Sequence, residues 1–372
     1  MNIDEKFALI TRNTEEVLTP DELKDLLRRN VPLTHYIGFE ISGRPHIGSG
    51  LMTGAKIADF QKAGVHCTIY LATYHAWINN KLGGDLAFIT KAATYFAECL
   101  KASIDAMGGD STTIAFVSGQ QLYHHNDDYW KLVLEVAKHT TLNRALRSIS
   151  IAGREEHDDV PLALLFYPAM QVADIFALGA NIAHAGTDQR KAHVIANDVA
   201  LKIKTKPLLI DGKPSKPISI HHHLLMGLAT PPVWPLPEGS KHDVLTSLKM
   251  SKSITGSAVF VDDTPDDIRT KLKNAFCPEG HTDYNPILDW TKHLIFRDGP
   301  FTVNRPQKFG GPLTFKNQAE LEQTFLDKRI HPLDLKNGVA DWLTAKLAPV
   351  RERLNTPELT TLRNEITEAT GR

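Results

Sequence analysis

Tyr36-Ile37-Gly38-Phe39-Glu40-Ile41-Ser42-Gly43-Arg44-Pro45-His46-Ile47-Gly48-Ser49 is the stretch from which the fold is read. Tyr36 to Ile41 has the character of a buried strand, and Ser42-Gly43 breaks it. After Pro45 the pattern turns helical through Leu51-Met52-Thr53-Gly54-Ala55-Lys56-Ile57. A strand, a glycine-containing turn and a helix make a phosphate site, because free N–H groups and the positive end of the helix dipole face the turn. Gly48 adds no side chain, so a flat ligand can lie against the backbone, and His46 can donate to a phosphate oxygen. The same residues also suit an ordinary strand-to-helix crossover with a satisfied histidine.

Working outward, His66 to Ala72 is a second β-rich apolar run, shortly after Gly64. Two strands joined by a helix of about 14 residues form a βαβ unit, hence parallel strands in a doubly wound α/β sheet. Ahead of it, residues 3–13 and 19–30 read as helices, the second opened by Thr19-Pro20-Asp21-Glu22. Leu86, Ile89, Ala93, Phe96 and Leu100 line one helix face. With the short strand Thr113 to Val117, this suggests a mostly helical insertion at about 80–160. Tyr167-Pro168 leads into a further helix, Asn181 to Ala185 is a strand, and Gly186 to Lys191 opens the next helix. Residues 206–262 are strand and loop, rich in proline and glycine. From Thr264-Pro265 the pattern is helical to the end. The expected division is a Rossmann-like α/β domain at 1–262 and an all-α domain at 263–372.

The chain has 372 residues, 42% hydrophobic and 23% charged, with a net charge of -1. That is a globular composition, and bulk charge announces no nucleic-acid surface, so any such surface must be local. The tail 263–372 balances 16 basic against 16 acidic residues, so it is not a basic arm. Cys67, Cys99 and Cys277 are scattered, which argues against a zinc site or a disulfide framework and fits a reducing cytoplasm. The first residues lack the apolar core of a signal peptide, and no apolar run reaches membrane-spanning length. His221-His222-His223 would alternate faces on a strand, which argues against one shared metal ion.

The second informative stretch is Lys249-Met250-Ser251-Lys252-Ser253, where two lysines three apart can place two ammonium groups on a polyphosphate. Taken with Pro45-His46-Ile47-Gly48, it resembles the two signature motifs of the class I aminoacyl-tRNA synthetases, His-Ile-Gly-His and Lys-Met-Ser-Lys-Ser. The second is complete. In the first, Ser49 stands at the place of the second histidine. Five blocks narrow the resemblance to tyrosyl-tRNA synthetases of archaeal and eukaryotic type: Tyr36 to Glu40, Tyr167 to Ile175, Asp188 to Lys191, Lys308 to Gly311 and His331 to Asn337. They fall in family order over most of the chain. One departure is Thr73, in Ala72-Thr73-Tyr74-His75, where the family usually has an acidic residue.

This resemblance implies an enzyme that activates L-tyrosine with ATP and passes it to tRNA(Tyr). Magnesium would arrive with the ATP rather than in a protein cage. Tyr36 and Asp174 would bind the substrate phenol, and Tyr167, Gln171 and Gln189 its ammonium group. Gly38 and Glu40 would line the pocket, with His75 nearby. His46, Lys249 and Lys252 would stabilise the phosphates, with Gly48, Ser49, Met250, Ser251 and Ser253 also at the ATP. Arg147, Arg190 and Lys191 would read the tRNA acceptor stem, and Phe309, His331 and Asp334 the anticodon. A homodimer through the inserted helices is also implied. An Asp and a Tyr satisfied only by a phenolic hydroxyl would exclude phenylalanine. Three other readings compete: a tryptophan-activating enzyme of the same class, a catalytically idle RNA-binding paralogue, and a small-molecule nucleotidyltransferase.

Overall fold

The computed structural model describes residues 1–154, 160–231, 233–235, 248, 250 and 256–371. Among the described residues there are ten strands: β1 Thr14–Val17, β2 Thr34–Glu40, β3 His66–Ala72, β4 Ala115–Ser118, β5 Ile182–Gly186, β6 Leu209–Ile210, β7 Lys213–Pro214, β8 Ile218–His222, β9 Phe301–Val303 and β10 Leu313–Phe315. Six of them form one sheet in the order β1-β8-β5-β2-β3-β4. All pairings in it are parallel except that of edge strand β1 with β8. From central β2 the chain winds out to β3 and β4, then crosses back to β5 and β8. The winding reverses between β2 and β5, and the carboxyl ends of those strands frame the crevice where such sheets hold ligands.

The helices of this part are α1 Ile3–Thr11, α2 Pro20–Arg28, α3 Thr53–Lys62, α4 Thr73–Ile78, α5 Leu86–Ala106, α6 Gly119–Tyr123, α7 Asp127–Lys138, α8 Leu142–Ser148, α9 Tyr167–Ala177 and α10 Arg190–Val199. Helix α5 lies within the range expected to be an insertion, yet it is the crossover between neighbouring parallel strands β3 and β4. Helix α3 is buried from Thr53 to Phe60, which an amphipathic surface helix would not be. It therefore carries buried charges, and each has partners. Lys56 Nζ donates to the Leu9 and Arg12 carbonyls at 3.0 and 2.9 Å, and burial lowers its pKa to about 7. Asp59 takes Arg12 and Arg297, the latter at 3.1 Å. One helix thus fixes both the amino-terminal helix and a residue of the tail against the sheet.

The first turn after Pro45 is not α-helical. Residues Gly48–Met52 form a π-helical turn before α3 begins. Just before it, residues 45–47 pair with 259–261, through Ile47 N to Val259 O at 2.9 Å and Val261 N to Pro45 O at 3.1 Å. The tail is mostly helical, with helices Pro265–Asn274, Pro286–Trp290, Gln318–Leu326, Pro332–Lys346, Ala348–Leu354 and Pro357–Thr370. The β9–β10 hairpin departs from the all-α expectation, because runs of three residues are too short to show a period of two. Among the described residues, no helix is long and apolar enough to cross a membrane.

Candidate active site

A cavity of about 500 Å³ opens at the carboxyl ends of β2, β3, β5 and β8. Tyr36, Gly38, Glu40, His75, Tyr167, Gln171, Asp174 and Gln189 all line it, as do His46, Gly48, Ser49 and Met250. Residues from five separate stretches of sequence therefore meet at one crevice. Lys249, Ser251, Lys252 and Ser253 lie outside the described residues. Their neighbours are anchored beside the cavity, with Met250 N on Leu225 O at 2.8 Å and Gly227 N on Leu248 O at 2.7 Å.

One end of the cavity is built around Asp174, which is fully buried on α9. Its Oδ1 accepts from Tyr129 Oη at 2.9 Å and Tyr123 Oη at 3.1 Å. The Tyr70 hydroxyl in turn donates to Tyr123. Its Oδ2 has no hydrogen-bond partner. Burial pushes the Asp174 pKa up to about 8, against the two tyrosine hydroxyls, which pull it down. His75 Nε2 is also unpartnered and lies 3.7 Å from Asp174 Oδ2. Burial lowers His75 to about 3, so its ring is an uncharged neighbour of the carboxyl and not an ion-pair partner. Tyr36, buried on β2, has its hydroxyl pKa raised by burial and by the Asp174 charge, so it stays a donor. This end offers a neutral phenol donor and an unpartnered carboxyl oxygen beside the uncharged His75 ring. Unpaired buried polar atoms on a cavity wall are satisfied by a ligand group that both gives and takes a hydrogen bond.

Further along, Gln171 Nε2 donates to Gln189 Oε1 at 3.2 Å, and Gln189 Nε2 to Ile151 O at 3.0 Å. Gln171 Oε1 is buried without a partner. Glu40 is held by Asn79 Nδ2 at 2.7 Å and lies 3.5 Å from Lys81 Nζ. Two acceptor groups, an amide oxygen and a carboxylate, give this middle section the character of an ammonium site.

The His46 turn departs from the expectation. Ser49 N donates to His46 Nδ1 at 3.2 Å, and Ser49 Oγ lies 3.4 Å from His46 Nε2. The histidine ring folds back over its own turn and takes an N–H that was expected to face a ligand. A Cβ at Gly48 would lie 3.0 Å from that ring, so the glycine makes room for His46 rather than for a flat ligand. With Nδ1 accepting, the ring proton sits on Nε2. Thr73 does not line the cavity; its hydroxyl donates to Gln120 Oε1 at 3.0 Å.

Of the residues expected to touch RNA, Arg147, Arg190 and Lys191 come together on the surface. Lys191 Nζ donates to the Arg147 carbonyl at 2.7 Å, and Arg190 makes a forked contact with Glu16 at 2.8 to 3.1 Å. Phe309 is 57% exposed, which excludes it from the core. His331 caps the helix that holds Asp334. Arg305 bridges the two loops, donating to Gly311 O at 3.0 Å and Arg329 O at 3.3 Å.

The three consecutive histidines take separate partners. His221 Nδ1 meets Glu16 at 2.9 Å, His222 Nδ1 meets His184 at 2.8 Å, and His223 lies between Glu15 and Asp289 at 2.8 and 2.7 Å. Glu15, His223 and His293 bring ligand-type atoms within 4.8 Å. Burial opposes charge on His223, but the Asp289 and Glu15 hydrogen bonds outweigh it and push it to about 9. His223 is therefore a cation between carboxylates, with no lone pair for a metal.

Sequence reasoning missed Tyr123 and Tyr129, which hold Asp174, Tyr70, which donates to Tyr123, and Asn79, which holds Glu40. They lie 39 to 53 residues from their partners. The concentration of aromatics in 123–130 was the one available signal.

The family model for class I tRNA synthetases (W and Y) matches residues 28–348. A tyrosine–tRNA ligase of Thermococcus sibiricus is 54% identical over 358 residues, 95% of each chain. The solved tyrosyl-tRNA synthetase of Pyrococcus horikoshii, complexed with L-tyrosine, superposes with a TM-score of 0.95 at 48% identity, covering 98% of this chain and 100% of that one. A tryptophanyl-tRNA synthetase of Plasmodium falciparum, at 17% identity and a TM-score of 0.65, shares the fold. With the family matched over most of its length, the chain belongs to the class I tRNA synthetases, in the family of the tryptophan and tyrosine enzymes.

Proposed function

We propose that the chain is a tyrosine–tRNA ligase, which activates L-tyrosine with ATP and transfers it to tRNA(Tyr). The observation that carries this reading is that the unpartnered carboxyl oxygen of buried Asp174 and the side chain of buried Tyr36 line the same cavity. A phenol satisfies both groups; a phenyl ring satisfies neither, and an indole N–H can only donate. The amino group would sit at Gln171, Tyr167, Gln189 and Glu40. The substrate carboxylate then faces the His46 turn, where ATP would bind. It attacks the α-phosphorus in line, a carboxyl–phosphate bond forms, and pyrophosphate leaves with the electron pair of the broken P–O bond. His46 Nε2–H, Lys249 and Lys252 would stabilise the developing charge, with magnesium arriving on the ATP. Positioning and electrostatics suffice for such a displacement. The tyrosyl group then passes to a ribose hydroxyl of the tRNA.

In this reading Arg147, Arg190 and Lys191 flank the cavity as acceptor-stem contacts. Phe309, His331 and Asp334 form an anticodon site in a domain at 263–372, where an exposed ring can stack on a base. A second copy would cover Trp130, Leu134 and Leu142, exposed apolar residues on α7 and α8. The free cysteines suit a cytoplasmic setting. Charging of purified tRNA(Tyr) with labelled tyrosine tests the proposal. Labelled tyrosine on the tRNA is the expected result; charging with tryptophan in its place would overturn it.

A further inference from the structure

Residues 225–228, shortly after β8, are bonded on two sides. Toward the cavity, Leu225 O accepts from Met250 N at 2.8 Å, Gly227 N donates to Leu248 O at 2.7 Å, and Leu228 N donates to Ser257 O at 2.9 Å. Leu225 and Met250 themselves line the cavity. Toward the tail, Met226 N donates to Asp289 Oδ2 at 2.9 Å, and Met226 O accepts from Trp290 Nε1 at 2.9 Å. Leu228 O also accepts from Phe276 N at 2.8 Å. Both backbone groups of Met226 are therefore held by two consecutive side chains of the tail. Its chain neighbours, Leu225 and Gly227, hold Met250 and Leu248, the residues on either side of Lys249 in the sequence.

The tail end of this connection is itself pinned. Asp289 and Trp290 close the helix Pro286–Trp290, which is too short to persist on its own. Asn285 Oδ1 caps it, accepting from Ile287 N at 3.1 Å and Leu288 N at 3.3 Å, and Gln318 Nε2 donates to Leu288 O at 3.1 Å. Trp290 is buried, and Asp289 is 7% exposed at its side chain. The second oxygen of Asp289 takes His223 Nε2 at 2.7 Å. A carboxylate holding a peptide N–H makes a charge-assisted bond, stronger than one between neutral groups.

A buried peptide group that loses its partner costs more than the bond was worth, so Met226 would move to another partner instead of staying in place. Planar peptide bonds carry Leu225 and Gly227 with it. Their bonds pass the shift on to Met250 and Leu248. Asp174 and Tyr36, on α9 and β2, share none of these bonds. We propose that Asp289 and Trp290 are positioning residues for the activation step: by fixing Met226 they set the place of the residues around Lys249 against the nucleotide. This rests on the proposed ATP site. It makes two side chains of the tail part of amino-acid activation before any tRNA binds.

The test is pyrophosphate exchange by the full chain with tyrosine and ATP, in the absence of tRNA. Trp290→Phe keeps an aromatic ring and removes the donor to Met226 O. Asp289→Asn keeps the shape and removes the charge. Each should raise the KM for ATP about threefold to tenfold and leave the KM for tyrosine within about twofold. Calorimetry with tyrosine alone should give unchanged stoichiometry and affinity in both variants. A purely structural role would lower the active fraction and leave both KM values alone. The proposal is overturned by an unchanged KM for ATP in either variant while tyrosine still binds, or by an equal rise in both KM values. Absence of tyrosine-dependent exchange in the wild type would bear on the proposed function instead.

Discussion

Asp174→Asn tests the tyrosine reading at its narrowest point. Asparagine keeps an oxygen where Oδ1 receives Tyr123 and Tyr129, and it replaces the unpartnered Oδ2 with an NH2 group. The wall around it stays packed, and one acceptor becomes a donor. A phenol then loses the group that takes its proton, while a phenyl ring loses nothing. A hydrogen bond to such a carboxyl is worth about 1.5–3 kcal/mol, so kcat/KM for tyrosine should fall about tenfold to 150-fold. For phenylalanine it should stay within about twofold, and the selectivity ratio should shrink by the same factor as the tyrosine loss. In the wild type, phenylalanine leaves two buried polar groups unpaired at about 1–3 kcal/mol each, which gives roughly 30-fold to 10⁴-fold rejection. Tyrosyl-tRNA synthetases are themselves the known instance of this effect, at about 10⁵. The assay is steady-state pyrophosphate exchange with each amino acid. An unchanged selectivity ratio would refute the reasoning, because Oδ2 would then not meet the phenol.

Other outcomes follow from the same geometry. The folded-state pKa of Asp174 is raised to about 8 from an ordinary 3.8. The folded chain therefore keeps a proton that the unfolded chain releases, and stability should decline between about pH 4 and pH 8, by at most about 1.4 kcal/mol per pH unit from this group. Denaturant melts of wild type and Asp174→Asn across that range should differ by this slope; parallel profiles would contradict it. Asp59→Ala leaves Arg297, only 8% exposed at its side chain, without its buried carboxylate, and should cost about 3 kcal/mol in the same melts. Phe309→Ala should raise the KM for tRNA about fivefold to 150-fold, from lost base stacking, with pyrophosphate exchange untouched. Leu134→Glu should shift the chain to monomers in light scattering if two copies meet on α7.

The cavity wall was legible because the resemblance rests on short blocks at strand ends and on a helix, where residues two apart on a strand or three apart on a helix share a face. Tyr36, Gly38 and Glu40 alternate on β2, and Gln171 and Asp174 lie on one face of α9. What was not legible depends on contacts between distant elements. Tyr123 and Tyr129 look like ordinary aromatics until α6 and α7 are set against α9. The π-helical turn at Gly48–Met52 follows a pairing of residues 45–47 with 259–261, which no local pattern announces. The helix dipole argument placed free N–H groups toward the ligand, whereas His46 takes one of them itself. Strand β1 escaped because four residues, two of them glutamates, carry no apolar alternation. Yet those glutamates hold His221, His223 and Arg190.

Activation of tyrosine with ATP at this cavity is measured most simply by pyrophosphate exchange. The purified chain is given ATP, labelled pyrophosphate and magnesium, with tyrosine, phenylalanine or tryptophan added one at a time. Labelled ATP should form rapidly with tyrosine and at least roughly 30-fold more slowly with phenylalanine, with tryptophan near background. Exchange that runs equally well with tryptophan, or that tyrosine does not stimulate, would contradict tyrosine activation at this cavity.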